Sequence, residues 1–217
     1  MAMWVDTTLV FLALSSLLLL GSSRLSRCVR IVAFQGVLLG VLTMAVAQHD
    51  PSLRTIFFAL AIVALKGVGF PWLLSRVLRE SEVHREVDPL VGYIVSMLLG
   101  TLTLALSFWL SARLPLPAPP LSSLVVPVAF FTTLAGLFLI VTRRAALTQV
   151  LAYLVLENGI YVFGVGLVHG TPMVVELGIL LDVFVAVFVM GIAIFHINRE
   201  FDHIDTEQLT ILRDWTP

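Results

Sequence analysis

Three ionisable side chains stand in the middle of long apolar stretches: Lys66 in IVALKGVGF, Glu157 in LVLENGIYVF and Asp182 in GILLDVFVAVF. Lys66 is the sole lysine of the chain. Two acids and a base in such surroundings are the parts of a proton relay. Burial disfavours the charged form of each group and an opposite charge restores it, so near balance a small movement or a change in hydration passes a proton along. The same residues also fit a static arrangement, in which Lys66 neutralises Glu157 or Asp182 in a structural ion pair. The relay is preferred, because ionisable groups at such depth usually mark an ion path.

Other polar residues stand nearby. Asn158 and Tyr161 flank Glu157 and could hold it or bridge it to water, although polar residues between helices also serve packing alone. Glu176 falls about a turn into the last apolar block, at a level wetted from outside or at the margin of the relay. His49 and His169 lie at corners between blocks, where a histidine is either simply solvated or placed for proton entry. Gly67, Gly69 and Pro71 beside Lys66 predict a locally loosened or kinked helix. Cys28 is the one cysteine, which excludes an internal disulfide, and neither a metal-ligand set nor a nucleotide loop is present.

The elements that must position these groups follow from composition. Of 217 residues 59% are hydrophobic and 12% charged, with a mean hydropathy of +1.03. This is an integral membrane protein. Apolar blocks at 7–22, 28–47, 54–76, 90–112, 122–142, 146–168 and 172–197 are each of the length a spanning helix needs, about 20 residues. The expected fold is therefore all-α, about seven transmembrane helices, with no room for a soluble catalytic domain and no expected nucleic-acid partner. The first block has Asp6 in its leader and arginines after it, so it is expected to remain as a helix and not to be cleaved as a signal.

Arg24, Arg27, Arg30, Arg76, Arg79, Arg85, Arg143, Arg144, Arg199 and Arg213 sit on alternate connections and the C-terminal tail; only Arg54 and Arg113 fall on the others. The positive-inside tendency then puts the N-terminus outside and the C-terminus in the cytoplasm. At 1.5 Å of rise per residue, Lys66, Glu157 and Asp182 share the level of the bilayer midplane. A charge there costs at least ~2.5–3.5 kcal/mol, so each is expected to face protein or a hydrated cavity.

RIVAFQGVLLG at 30–40 aligns with QVLAYLVLENG at 149–159, and a similar offset brings His49 near His169, Pro51 near Pro172 and Lys66 near Asp182. Two tandem three-helix units joined by a crossover helix would produce this pattern, as parallel repeats do in some transporters. The expected division is an N-terminal unit at 1–88, a crossover helix and proline-rich loop at 89–121, a C-terminal unit at 122–198 and a cytoplasmic tail at 199–217. The tail carries Ile204, Leu209, Ile211, Leu212 and Trp215 among its charges, which suits a contact with a partner subunit; a disordered tail is the alternative.

LENGIYVFG, VELGILLDVFVAVFVMGIAIF and the tail IDTEQLTIL closely resemble component E of hydrogenase-4-type complexes. The resemblance runs over most of the chain, including Lys66 followed by Pro71, and is specific at 150–212. More loosely, the second half resembles the small K subunit of respiratory complex I and the C subunit of multisubunit cation/proton antiporters. Those families place a glutamate mid-helix where Glu157 stands, and complex I adds a second acid in the following helix, where this chain has Asp182. The extra N-terminal unit and the aspartate in place of glutamate are departures.

The resemblance implies a non-catalytic membrane-arm subunit of an energy-converting hydrogenase, formate hydrogenlyase or complex I-related assembly in a bacterial or archaeal cytoplasmic membrane, contributing to proton or sodium translocation. It implies antiporter-like large membrane subunits and a subunit like that named H in complex I as neighbours, and a hydrophilic hydrogenase-like arm meeting the tail. Iron–sulfur clusters and a nickel–iron site would belong to those partners and no cofactor to this chain. A multisubunit antiporter component, an independent transporter and a sealing subunit without a relay are the alternatives.

Overall fold

A computed structural model describes residues 2–46, 53–80, 90–115, 121–144 and 146–167, together with Gly178, Leu181, Asp182, Phe184, Val185, Val187 and Gly191. The fold is all-α. Helix α1 (Ala2–Leu20) and α2 (Leu25–Val46) form a hairpin whose turn is the Gly21–Ser22–Ser23 stretch, too rich in small and polar residues to continue a helix. The third span is composite: α3 (Leu53–Ile62), a π-helical segment (Val63–Gly69) and α4 (Phe70–Glu80). Then come α5 (Tyr93–Ser111), α6 (Val125–Thr142) and α7 (Ala146–Leu167). These make six helices long and apolar enough to cross a membrane among the described residues. The expected seventh, 172–197, lies largely outside the described residues; Gly178, Leu181, Asp182 and the others described there are helical.

The packing is that of a protein in lipid. Helix α5 buries only Ser96, Gly100 and Ser107, and turns Ile94, Leu98, Leu102 and Trp109 outward. Water gives apolar side chains every reason to hide, whereas lipid gives none, so small residues take the contacts and let backbones approach. Hydroxyls within the spans bond backward to their own helix, as Ser16 does to the Leu12 carbonyl at 2.9 Å and Ser107 to that of Thr103 at 2.8 Å.

Helix ends sort into two layers. At one, Asp6 accepts a hydrogen bond from the Ser122 hydroxyl, joining the starts of α1 and α6. At the other, Arg143 donates from Nη2 to the Leu20 carbonyl at 3.0 Å, and its guanidinium lies 4.5 Å from the centre of the Tyr93 ring. Helices α1 and α6 are thereby parallel and tied at both ends. Arg143 stands at the connection where the sequence suggests a surface charge, yet it is only 2% exposed. It fastens the end of α1 and the start of α5 to the end of α6.

Two apolar clusters make the core. One, towards the Arg143 layer, contains Leu20, Val32, Leu74, Phe131, Leu151 and neighbours. The other, towards Asp6, contains Leu9, Leu12, Leu39, Ile62, Val128 and Val162. Along α1, α2, the third span and α7 the two clusters are separated by a narrow band of residues that includes Ser15, Ser16, Gln35, Lys66, Glu157 and Asn158, and that band is polar.

Candidate functional site

Lys66 owes its position to a local widening of the third span. Pro71 has no N–H to donate, and its ring crowds the carbonyl one α-turn back, at Gly67. The chain answers with π geometry over Val63–Gly69, in which the Phe70 N–H reaches five residues back to the Leu65 carbonyl. Such segments often mark functional positions. Gly67 and Gly69 with Pro71 were expected to loosen this helix, and they do. The widened turn is held against α2 at Gly36, where an added Cβ would fall 2.5 Å from the Lys66 carbonyl carbon. Only a glycine permits that approach.

From there the Lys66 side chain enters the polar band. Its Nζ lies 2.9 Å from Oε1 of Glu157 on α7 and 3.4 Å from Oδ1 of Asp182. None of the three is more than 4% exposed. No other donor among the described residues reaches either carboxylate. The three groups that stand far apart in sequence thus share one site, with one ammonium between two acids.

The site continues sideways through amides and hydroxyls. Lys66 also donates to Asn158 Oδ1 at 3.3 Å, Asn158 Nδ2 donates to Gln35 Oε1 at 3.1 Å, and Gln35 Nε2 donates to both Ser15 and Ser16 at 3.0 Å. The serines pass on to the Leu12 carbonyl. A continuous buried chain of donors and acceptors therefore crosses the bundle from α1 through α2 and α7 to the third span. Gln35, Ser15 and Ser16 were not among the residues singled out from sequence. The signal available was an amide in the apolar stretch of α2 and a serine pair within α1.

Asn158 is thus a link in the polar chain. Tyr161, by contrast, turns to α2: its hydroxyl pairs with Thr43 at 2.7 Å, while Thr43 bonds the Leu39 carbonyl at 2.8 Å. Tyr161 closes the α2–α7 contact one turn from Glu157 and makes no hydrogen bond to it. Glu176, His49 and His169, and the tail from 199 to 217, lie outside the described residues. Among the described residues no three His, Cys, Asp or Glu side chains converge as a metal centre would require.

Over 97% of its length the chain is 33% identical to an uncharacterised protein, Rv0085, of Mycobacterium tuberculosis, covering 96% of that protein. Over 143 residues, 66% of this chain and 66% of the relative, it is 29% identical to hydrogenase-4 component E of Escherichia coli K12, and equally to that of Shigella flexneri. No family model and no solved structure matches the chain.

Proposed function

This chain belongs to one family with the Rv0085 protein of Mycobacterium tuberculosis, and from that premise we propose that it is a non-catalytic membrane subunit of a hydrogenase-type energy-converting complex. The distant similarity to hydrogenase-4 component E and the six membrane-length helices support this placement. Within it, Lys66, Glu157 and Asp182 form a proton-relay centre, with Asn158 and Gln35 as neutral extensions.

One observation carries the relay: a single buried ammonium lies between two buried carboxylates. One positive charge neutralises one acid. The other must either leave a net negative charge in a low-dielectric bundle, at a cost of several kcal/mol, or share a proton with its neighbour. A group of two acids and one base holding one shared proton has two nearly equivalent arrangements, Glu157-protonated and Asp182-protonated. Exchange between them needs only a short displacement of Lys66, and the wide π segment that carries it is suited to such a displacement. A fixed ion pair would need only one acid.

The surroundings of the centre follow from the same assignment. The arginine-bearing helix ends lie on the cytoplasmic side, the N-terminus outside, and the tail at 199–217 meets a hydrophilic arm. Antiporter-like and complex I H-like membrane subunits flank the bundle. Iron–sulfur clusters, and a nickel–iron site where the assembly is a hydrogenase or formate hydrogenlyase, reside in partner subunits, as the resemblance to hydrogenase-4 component E implies; the chain has one cysteine, Cys28, and Glu157 and Asp182 lie at Lys66. Protons are the expected cargo; sodium is the alternative for an antiporter-type assembly.

Glu157→Gln tests the centre, because it removes titration and keeps shape. The complex should assemble normally while ion translocation coupled to electron transfer falls sharply, and Asp182→Asn should act likewise. Normal assembly with wild-type translocation in Glu157→Gln would leave only the static ion pair.

A further inference from the structure

On the outer face of the α1–α2 hairpin lies a groove of about 630 Å³, lined by Phe11, Leu14 and Leu18 of α1 and Arg27, Ile31 and Phe34 of α2, with Arg30 beside Arg27 and Ser15 in its floor. Its two ends differ in chemistry. At the helix-end layer stand the exposed guanidinium groups of Arg27 and Arg30, and neither is paired with a carboxylate among the described residues. Among the described residues Arg30 donates to the Ser26 carbonyl of its own helix, at a long 3.4 Å. About 10 Å deeper, two helical turns along α2, Phe11 and Phe34 meet edge to face with ring centres 6.3 Å apart and close the far end. Between them Leu14 and Leu18 stand more than half exposed.

We propose that this groove is a site for one anionic phospholipid, whose phosphate is held by Arg27 and Arg30 and whose acyl chain lies over Leu14, Leu18 and Ile31 against the Phe11–Phe34 stop. Charge complementarity selects the occupant. Guanidinium groups bind phosphate oxygens through paired N–H donors, and basic clusters at the ends of membrane helices favour anionic headgroups. The apolar floor extends from that cluster towards the bilayer centre, the direction an acyl chain must take from its own headgroup. A transmembrane helix of a partner would cover the apolar part and leave two charges without counter-ions at the interface.

The occupant would also matter for the polar band. Ser15 forms the floor of the groove and is the outer end of the hydrogen-bond chain through Gln35 and Asn158 to Lys66. An acyl chain over Ser15 seals that end against water entering from the side.

The site is tested by native mass spectrometry of the purified full-length protein, titrated with phosphatidylglycerol and with phosphatidylcholine of the same acyl chains. One phosphatidylglycerol should be retained in preference to phosphatidylcholine. At roughly 1 kcal/mol per basic residue, Arg27→Gln with Arg30→Gln should weaken its retention about thirtyfold. Leu14→Trp, which fills the groove and leaves both charges, should expel it as well, whereas Arg113→Gln at the opposite helix-end layer should have no effect. Thermal unfolding of each variant separates loss of the site from loss of the fold. Equal retention of the two lipids would overturn the proposal. So would an Arg113→Gln effect matching that of the groove arginines, or an intact complex in which a neighbouring subunit and no lipid shields Leu14 and Leu18.

Discussion

The ammonium of Lys66 lies 2.9 Å from Oε1 of Glu157, in a band of polar side chains closed above and below by apolar clusters. The contact joins two helices that are remote in sequence, and it sets what each change in the band should do.

Lys66→Met leaves two buried acids without a counter-charge. Breaking a buried pair from one side typically costs about 3–5 kcal/mol, so the single variant should unfold at markedly lower temperature in detergent. Adding Glu157→Gln should recover most of that loss while translocation stays abolished. Failure of the double variant to recover would mean that Lys66 stabilises the bundle through its packing and not through its charge.

Gly36→Val should be severely destabilising, since the new side chain would meet the Lys66 backbone itself. Overpacking of a well-filled core costs typically 1–3 kcal/mol, and a backbone neighbour yields less readily than a side chain. Gly92→Ala is the control: nothing lies within 4 Å of its Cβ position, and its backbone is ordinary, with φ −59°. Thermal unfolding of the two variants side by side decides the matter.

Gln35→Leu removes the acceptor for Asn158 Nδ2 and strands that donor in the core, at a cost of about 1–3 kcal/mol. The serines fare better because Leu12 already accepts from them. In a double-mutant cycle with Asn158→Leu, the two costs should fall short of additivity by about 0.5–3 kcal/mol. Strict additivity would mean that the amides do not interact.

Arg143→Met should loosen the layer of helix ends it fastens, by about 2 kcal/mol or more, and Arg143→Lys should not restore it. Only a planar guanidinium both reaches the Leu20 carbonyl and stacks on Tyr93. Exposed Arg144 should tolerate Gln with a change of about 1 kcal/mol or less. Equal unfolding temperatures for Arg143→Lys and wild type would refute the stacking role.

The sequence by itself determined that this is a membrane protein, where most of its spans run, and which three residues to examine. The reasons are local. A spanning helix must satisfy its backbone within itself and be apolar over about 20 residues, so α2, α6 and α7 are visible as long, predominantly apolar runs. A lysine or carboxylate inside such a run is costly wherever it points, so Lys66, Glu157 and Asp182 stand out before any contact is known. The loosening at Lys66 was also legible, because Pro71 and two glycines act on their own helix.

What the tertiary structure decided was which helix faces meet. Gln35, Ser15 and Ser16 carry no charge, and a hydroxyl can satisfy itself on its own helix, so nothing along the chain marks them as one path. Tyr161 stands one helical turn from Glu157 in sequence, and only the rotation of α7 against α2 gives its hydroxyl to Thr43 instead. Arg143 has the sequence context of a surface charge, and only the convergence of three helix ends buries it. In each case the sequence supplies the group and a periodicity, while the partner is fixed by the relative rotation of two helices, a quantity that no single helix contains.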